Sequence, residues 1–187
     1  MPALKSVSDP LTYEDYKTFP DNDGIRKEII EGELFMTPAP NTKHQSVSRE
    51  LSFLLVSFIK STNIGKIFVA PYDVKFSHIN VFQPDIVFVL QDNYEIITDI
   101  NINGAPDLVI EILSPSTKAN DRIFKKQIYE KFGVKEYWIV DPENETVEIW
   151  VLKNHKFILD SKAGKSQTFK SQILKGLEIN LSEIFNT

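Results

Sequence analysis

The run Leu108-Val109-Ile110-Glu111-Ile112-Leu113 constrains this chain more than any other stretch. A β-strand that alternates apolar and polar residues can leave one face in water, but a continuous aliphatic run implies cover on both faces. Ile86-Val87-Phe88-Val89-Leu90 has the same character, so the two runs are predicted to form the centre of one sheet with helices on either side. Glu111 is the exception within the run. An unpaired buried carboxylate costs several kcal/mol, so this position calls for a cation, a hydrogen-bond network or a proton, unless the strand lies at an edge.

The elements around these runs follow from periodicity. Ile25 to Met36 reads as a hairpin turning at Glu31-Gly32. Val47, Leu51, Leu54, Leu55, Phe58 and Ile59 recur at helical spacing, with Gly65 as the expected stop. Lys66 to Phe76 reads as one strand, marked at Pro71 by a bulge or an edge. Asn120 or Asp121 is expected to open a second helix with Phe124, Ile128 and Phe132 on its apolar face and Gly133 at its end. Tyr137–Val140 and Val147–Leu152 follow as a closing hairpin, before a short tail ending at Leu181–Phe185. The expected fold is α/β (α+β): a mixed central sheet flanked by helices, with an N-terminal β-hairpin, in a single domain over 1–187.

At 187 residues the chain can bury roughly 70% of its unfolded surface without a disulfide or structural metal. The absence of cysteine excludes thiolate metal sites and cysteine nucleophiles and agrees with a reducing compartment, so the cytoplasm is the expected location. The longest apolar stretch, Phe53–Ile59, is broken by Ser57, and no membrane association is expected. A net charge of −5 gives no general nucleic-acid signal, yet the charge is segregated. Lys118–Lys135 holds six basic residues against two acidic ones, and Lys153–Lys175 six lysines against Asp160. These stretches form either solvated faces or a phosphate-binding rim.

Asp85, following Gln83-Pro84 at the mouth of the neighbouring run, is the natural partner of Glu111. Two carboxylates from adjacent strand ends can hold one hard cation such as Mg²⁺. Asp107 lies four residues before Glu111 on the same strand, roughly 13 Å away, too far to share that ion. Asp121, Lys125 and Tyr129 share one face of the second helix, from which Lys125 could reach the pair; an ordinary Asp121–Lys125 surface pair fits the spacing equally well. His44 falls before or within the first turn of the first helix, where the helix dipole favours the neutral imidazole. Glu28 and Glu31 in the hairpin could supply a further carboxylate, although turn chemistry accounts for Glu31 as well. No glycine-rich phosphate loop, HExxH or GxSxG is present, so nucleotide hydrolysis, zinc proteolysis and α/β-hydrolase chemistry lack support; no organic cofactor is expected.

Gln83-Pro84-Asp85-Ile86-Val87-Phe88, Ala105-Pro106-Asp107 through Ser114-Pro115-Ser116-Thr117, Asp121-Arg122-x-x-Lys125-x-x-x-Tyr129 and Gly133-Val134-Lys135-Glu136-Tyr137-Trp138-Ile139-Val140-Asp141-Pro142 closely resemble the Uma-two family. That family belongs to the PD-(D/E)XK restriction-endonuclease-like superfamily. The resemblance covers nearly the whole chain and implies a restriction-endonuclease-like core, with Asp85 and Glu111 as the motif acids and metal ligands. The motif lysine is expected two residues after Glu111, where this chain has Leu113. Lys125 stands at the family's matching position on the next helix. The resemblance implies a Mg²⁺- or Mn²⁺-dependent endonuclease acting on nucleic acid, with DNA the expected substrate. The alternative is a catalytically silent relative that binds nucleic acid or a protein partner as a homodimer. Without metal, Asp85→Asn or Glu111→Gln should be neutral or stabilising if the two carboxylates repel one another.

Overall fold

The computed structural model describes residues 9–20, 24–114 and 121–186. After a single helical turn, α1 (Tyr13–Tyr16), the hairpin forms from β1 (Arg26–Ile30) and β2 (Glu33–Thr37). Glu31 (φ 49°) and Gly32 (φ 83°) both take the left-handed conformation that a tight hairpin turn requires. The long helix α2 (Thr42–Thr62) buries Val47, Leu51, Leu55 and Ile59. Its first turn is capped by the Asn41 side chain, which accepts the His44 N–H at 2.9 Å.

The helix ends at Asn63, in the left-handed conformation at φ 51°, two residues before the expected stop. Gly65 instead opens β3 (Gly65–Val69), where a Cβ would collide with the Val89 carbonyl and the Phe88 ring. Its missing side chain permits close strand approach, a need that helix periodicity does not reveal. The single strand expected over 66–76 is two strands, β3 and β4 (Val74–Ser77), in different sheets. Pro71, which cannot donate to a ladder, lies in the break between them.

The remaining elements are β5 (Asn80–Phe82), β6 (Ile86–Leu90), two 3₁₀ turns over 91–96, β7 (Ile102–Asn103), β8 (Leu108–Ile112), a π-helical turn over 121–125, α3 (Lys126–Phe132), β9 (Glu136–Asp141), β10 (Thr146–Lys153), β11 (Lys156–Gly164), β12 (Thr168–Lys170), β13 (Glu178–Asn180) and α4 (Ser182–Phe185). The principal sheet runs β11-β10-β9-β8-β6-β3, with β8 and β9 parallel and the other neighbours antiparallel. A second sheet runs β2-β1-β5-β4-β7. β10 therefore does not close the principal sheet, because β11 covers its outer side.

Both faces of the central strands are buried, as the continuous runs require. Ile86, Phe88, Leu108, Ile110 and Ile112 pack with α2 and the C-terminal residues Leu181, Ile184 and Phe185. Val87, Val89, Val109 and Leu113 face the other way, onto Phe76, Phe82, Tyr129 and Tyr137. The expected apolar face of the second helix is turned. Ile128 and Tyr129 are buried together with Lys125, while Phe124 is half exposed. The π-helical turn shifts the helical phase ahead of α3, and the lysine is drawn inward by the carboxylates described below. Asn120 lies outside the described residues. No described helix is long and apolar enough to cross a membrane.

Candidate active site

Asp85 immediately precedes β6, whose register pairs Ile86 with Ile110, Val87 with Val109 and Phe88 with Leu108. Continuing that register by one residue sets Asp85 opposite Glu111. Strand alternation turns both toward the face that carries Val87, Val109 and Leu113. Both are buried, in the central strands and not at an edge.

Each carboxylate has its own compensating group. Asp85 Oδ1 accepts from the Arg26 guanidinium at 2.8 Å. Its Oδ2 accepts the Ile112 backbone N–H at 2.7 Å and faces His44 Nε2 at 3.1 Å. Burial alone would raise the Asp85 pKa, but the His44 hydrogen bond and the Arg26 charge outweigh it and hold the carboxyl at about 2. On Arg26 burial opposes the charge, and the surrounding Asp85, Glu28 and Glu111 carboxylates raise its pKa above the ordinary arginine value.

Lys125, only 2% exposed, reaches Glu28 Oε1 at 2.9 Å and Glu111 Oε1 at 3.1 Å. Glu111 Oε1 also accepts the Tyr129 hydroxyl at 2.6 Å. Glu28 Oε1 accepts the Gln83 backbone N–H at 3.0 Å, tying the hairpin to the segment that carries Asp85. Burial, reinforced by the Glu111 charge, raises the Tyr129 pKa well above its ordinary value, so this hydroxyl keeps its proton and donates. The Leu113 side chain belongs to the apolar cluster on the same sheet face. The buried cation nearest this face, Lys125, comes from the turn leading into α3.

Five of the candidate residues thus meet: Asp85, Glu111, Lys125, Glu28 and Tyr129, with His44 beside them on Asp85. Glu31 is elsewhere, exposed at the hairpin turn and 3.1 Å from Lys131. The side chain of Asp121 lies outside the described residues, and so does any pair it makes with Lys125. Asp107 is a structural carboxylate, accepting the Leu90 N–H at 2.8 Å and pairing with Lys135 at 2.6 Å.

Arg26 was not foreseen. It shares one face of β1 with Glu28, two residues apart, and that strand alternation was the available signal. The repulsion expected between Asp85 and Glu111 is likewise offset, because each has a cation within hydrogen-bonding distance. Among the described residues, many of the lysines in the two basic stretches have a partner on the protein surface. Lys131, Lys156, Lys162, Lys165 and Lys170 each pair with a glutamate, and Lys126 lies over the Trp150 ring. Among the described residues these pairs do not make a continuous bare cationic rim.

A cleft of about 10 Å³ is bordered by Arg26, His44, Asp85, Glu111 and Ile112, room for roughly one water-sized occupant. Among the described residues no three potential metal-binding side chains converge. The Asp85/Glu111 pair still fits a hard cation that takes one or two carboxylates and completes its shell with water and substrate oxygens. The cluster sets three carboxylates, Asp85, Glu111 and Glu28, beside the basic side chains Arg26 and Lys125.

The solved structure of a putative nuclease belonging to DUF820 from Anabaena variabilis is similar over 95% of this chain and 98% of that one. Its TM-score is 0.76 at 22% identity, which establishes a shared fold. Curated proteins provide no match. The sequence signature of the family described as "Putative restriction endonuclease" spans residues 13–182, taking in every candidate residue from Arg26 to Tyr129. With its restriction-endonuclease-like arrangement of a mixed sheet between helices, the chain belongs to that family, Uma2.

Proposed function

We propose that this chain is a cytoplasmic, metal-dependent endonuclease, acting as one domain to hydrolyse phosphodiester bonds in nucleic acid, with DNA as its substrate. The observation that carries this reading is the buried Lys125, 3.1 Å from Glu111, on the sheet face where Leu113 leaves the motif without its lysine. Asp85 and Glu111 would hold Mg²⁺ or Mn²⁺. When bound, the ion supplies a more acidic water and neutralises charge on the scissile phosphate.

Lys125 provides an ammonium donor that can orient a water and balance phosphate charge. Tyr129 keeps Glu111 from rotating by donating to the oxygen that Lys125 also contacts. His44 and the Ile112 N–H do the same for Asp85. Such outer partners orient a carboxylate and tune its basicity. Glu28 neutralises part of the lysine charge and so keeps the ammonium between the two strands.

The second reading, a silent nuclease-fold protein that binds nucleic acid or a homodimer partner, draws on one observation: both motif acids already have a cation from the chain itself. Thermal melting separates the two. Under the nuclease reading Mg²⁺ or Mn²⁺ raises the melting temperature, by roughly 2.7 kcal/mol of stabilisation at about 100 times its Kd. Glu111→Gln should abolish most of that rise. A rise of the same size in wild type and in both Asp85→Asn and Glu111→Gln would place the ion elsewhere and reject the proposed site.

A further inference from the structure

A cavity of about 340 Å³ opens beside the small cleft and shares Arg26, His44 and Asp85 with it. Its volume falls at the lower end of the range for pockets that enclose one small molecule. The wall combines the Tyr16 and Phe19 rings and Pro71 with Gln45 and Ser48, which lie one turn apart on α2. Aromatic rings set among several hydrogen-bonding side chains suit an aromatic heterocycle, and the cation at the junction suits a phosphate.

The wall is already held in position. The Tyr16 hydroxyl donates to Asp73 Oδ1 at 2.9 Å, and the Gln83 amide donates to the same carboxylate at 2.9 Å and to the Tyr16 oxygen at 3.0 Å. The Tyr16 ring is therefore braced, and the Phe19 ring meets it edge-on with centroids 6.1 Å apart. Arg26, with 18% of its side chain exposed, lies between the cavity and the carboxylates, whereas Lys125 is enclosed.

We infer that this cavity receives one unpaired nucleobase next to the scissile phosphate, with Arg26 meeting the phosphate side, so that the substrate is single-stranded or locally unpaired nucleic acid. The inference rests on the nuclease reading and deepens it. A base stacked in a duplex cannot enter a concave site of this size unless it first leaves the stack, and that step penalises paired substrates. Base stacking on aromatic side chains is tolerant of sequence, so the preference is for strandedness and not for a motif.

The test uses the full chain in the presence of EDTA, with a fluorescent 12-nucleotide single strand and the blunt duplex of the same sequence, read by anisotropy. The single strand should bind at least tenfold more tightly. Ser48→Trp fills the cavity from α2, and Ala39→Trp fills it from the exposed loop opposite; each should cancel the tenfold difference while duplex binding persists. Melting curves establish that each variant is folded, and Ala39→Trp keeps the test decisive if Ser48→Trp is not. Equal wild-type affinity for both forms, or an undiminished preference in the folded variants, overturns the inference. A preserved preference in a wild type that shows no Mg²⁺-dependent melting shift would support the cavity while rejecting the metal reading.

Discussion

Asp85→Asn removes one buried negative charge with little change in shape, and its cost should depend on pH in a way the site geometry dictates. At neutral pH the substitution leaves the Arg26 guanidinium, 2.8 Å from Asp85 in the wild type, without its hydrogen-bonded counterion. Breaking a buried pair by deleting one partner costs about 3–5 kcal/mol. Arg26 retains some access to water, so the lower end applies, about 3 kcal/mol, or about 6–12 °C in Tm for a chain of this size. The wild-type carboxyl titrates at about 2 in the folded protein against an ordinary value of 3.8. A carboxyl lowered by folding adds stability above its unfolded value and gives it up as pH falls toward the folded one. At about 1.4 kcal/mol per pH unit, roughly 2 kcal/mol of the Asp85 contribution is lost between about pH 5 and pH 2. Urea unfolding in EDTA at pH 7, 5, 4 and 3 should therefore show the gap between wild type and Asp85→Asn narrowing with acidity. The Arg26→Ala/Asp85→Asn double variant should cost less than the sum of the singles by about 1 kcal/mol or more. A gap constant from pH 7 to 3, together with additive costs, would refute the pairing.

Two further outcomes are expected. Lys125→Met should lower metal-dependent cleavage on the order of 100- to 1,000-fold while the Mg²⁺-induced melting shift persists, whereas Lys126→Met, on the Trp150 side, should cleave at close to the wild-type rate; steady-state cleavage of single-stranded and duplex DNA, with Glu111→Gln as the contamination control, checks both. Gly65→Ala should lower the melting temperature by several degrees, because its Cβ would collide with backbone of the adjacent strand, and differential scanning calorimetry measures the loss.

Much of the central architecture could be read from the sequence because two-sided burial leaves a direct trace in composition. Ile86–Leu90 and Leu108–Ile112 lie next to each other at the heart of the principal sheet, and an acidic residue within such a run demanded a compensating partner. Asp85 was legible for a local reason, its place at a strand mouth after proline. What escaped detection depends on long-range packing. Gly65 resembles a helix stop until the opposing Phe88 and Val89 are known. The switch between β3 and β4 is a choice between two sheets, and no local preference encodes it. β11 carries too many polar residues to stand out, since one of its faces meets solvent. Phe124 was assigned to the core by period alone, but the π-helical turn alters the phase and places Lys125 inside. Arg26 went unnoticed because an arginine on a hairpin is ordinary until the strand docks on Asp85. Local charge excesses were equally uninformative, since their partners lie at distant sequence positions, as Lys131 with Glu31 shows.

The hairpin strand β1 carries both Arg26 and Glu28, the respective partners of Asp85 and Lys125, and joins its sheet beside the short β5 through the Ile29–Val81 pair. Transient peeling of that one strand would strip a cation from one half of the cluster and an anion from the other in a single event. The principal sheet could remain intact throughout. Opening of the charge cluster and global unfolding are therefore separate thermodynamic quantities in this molecule, and amide exchange in Arg26–Ile30 would report the first while exchange in β8 reports the second.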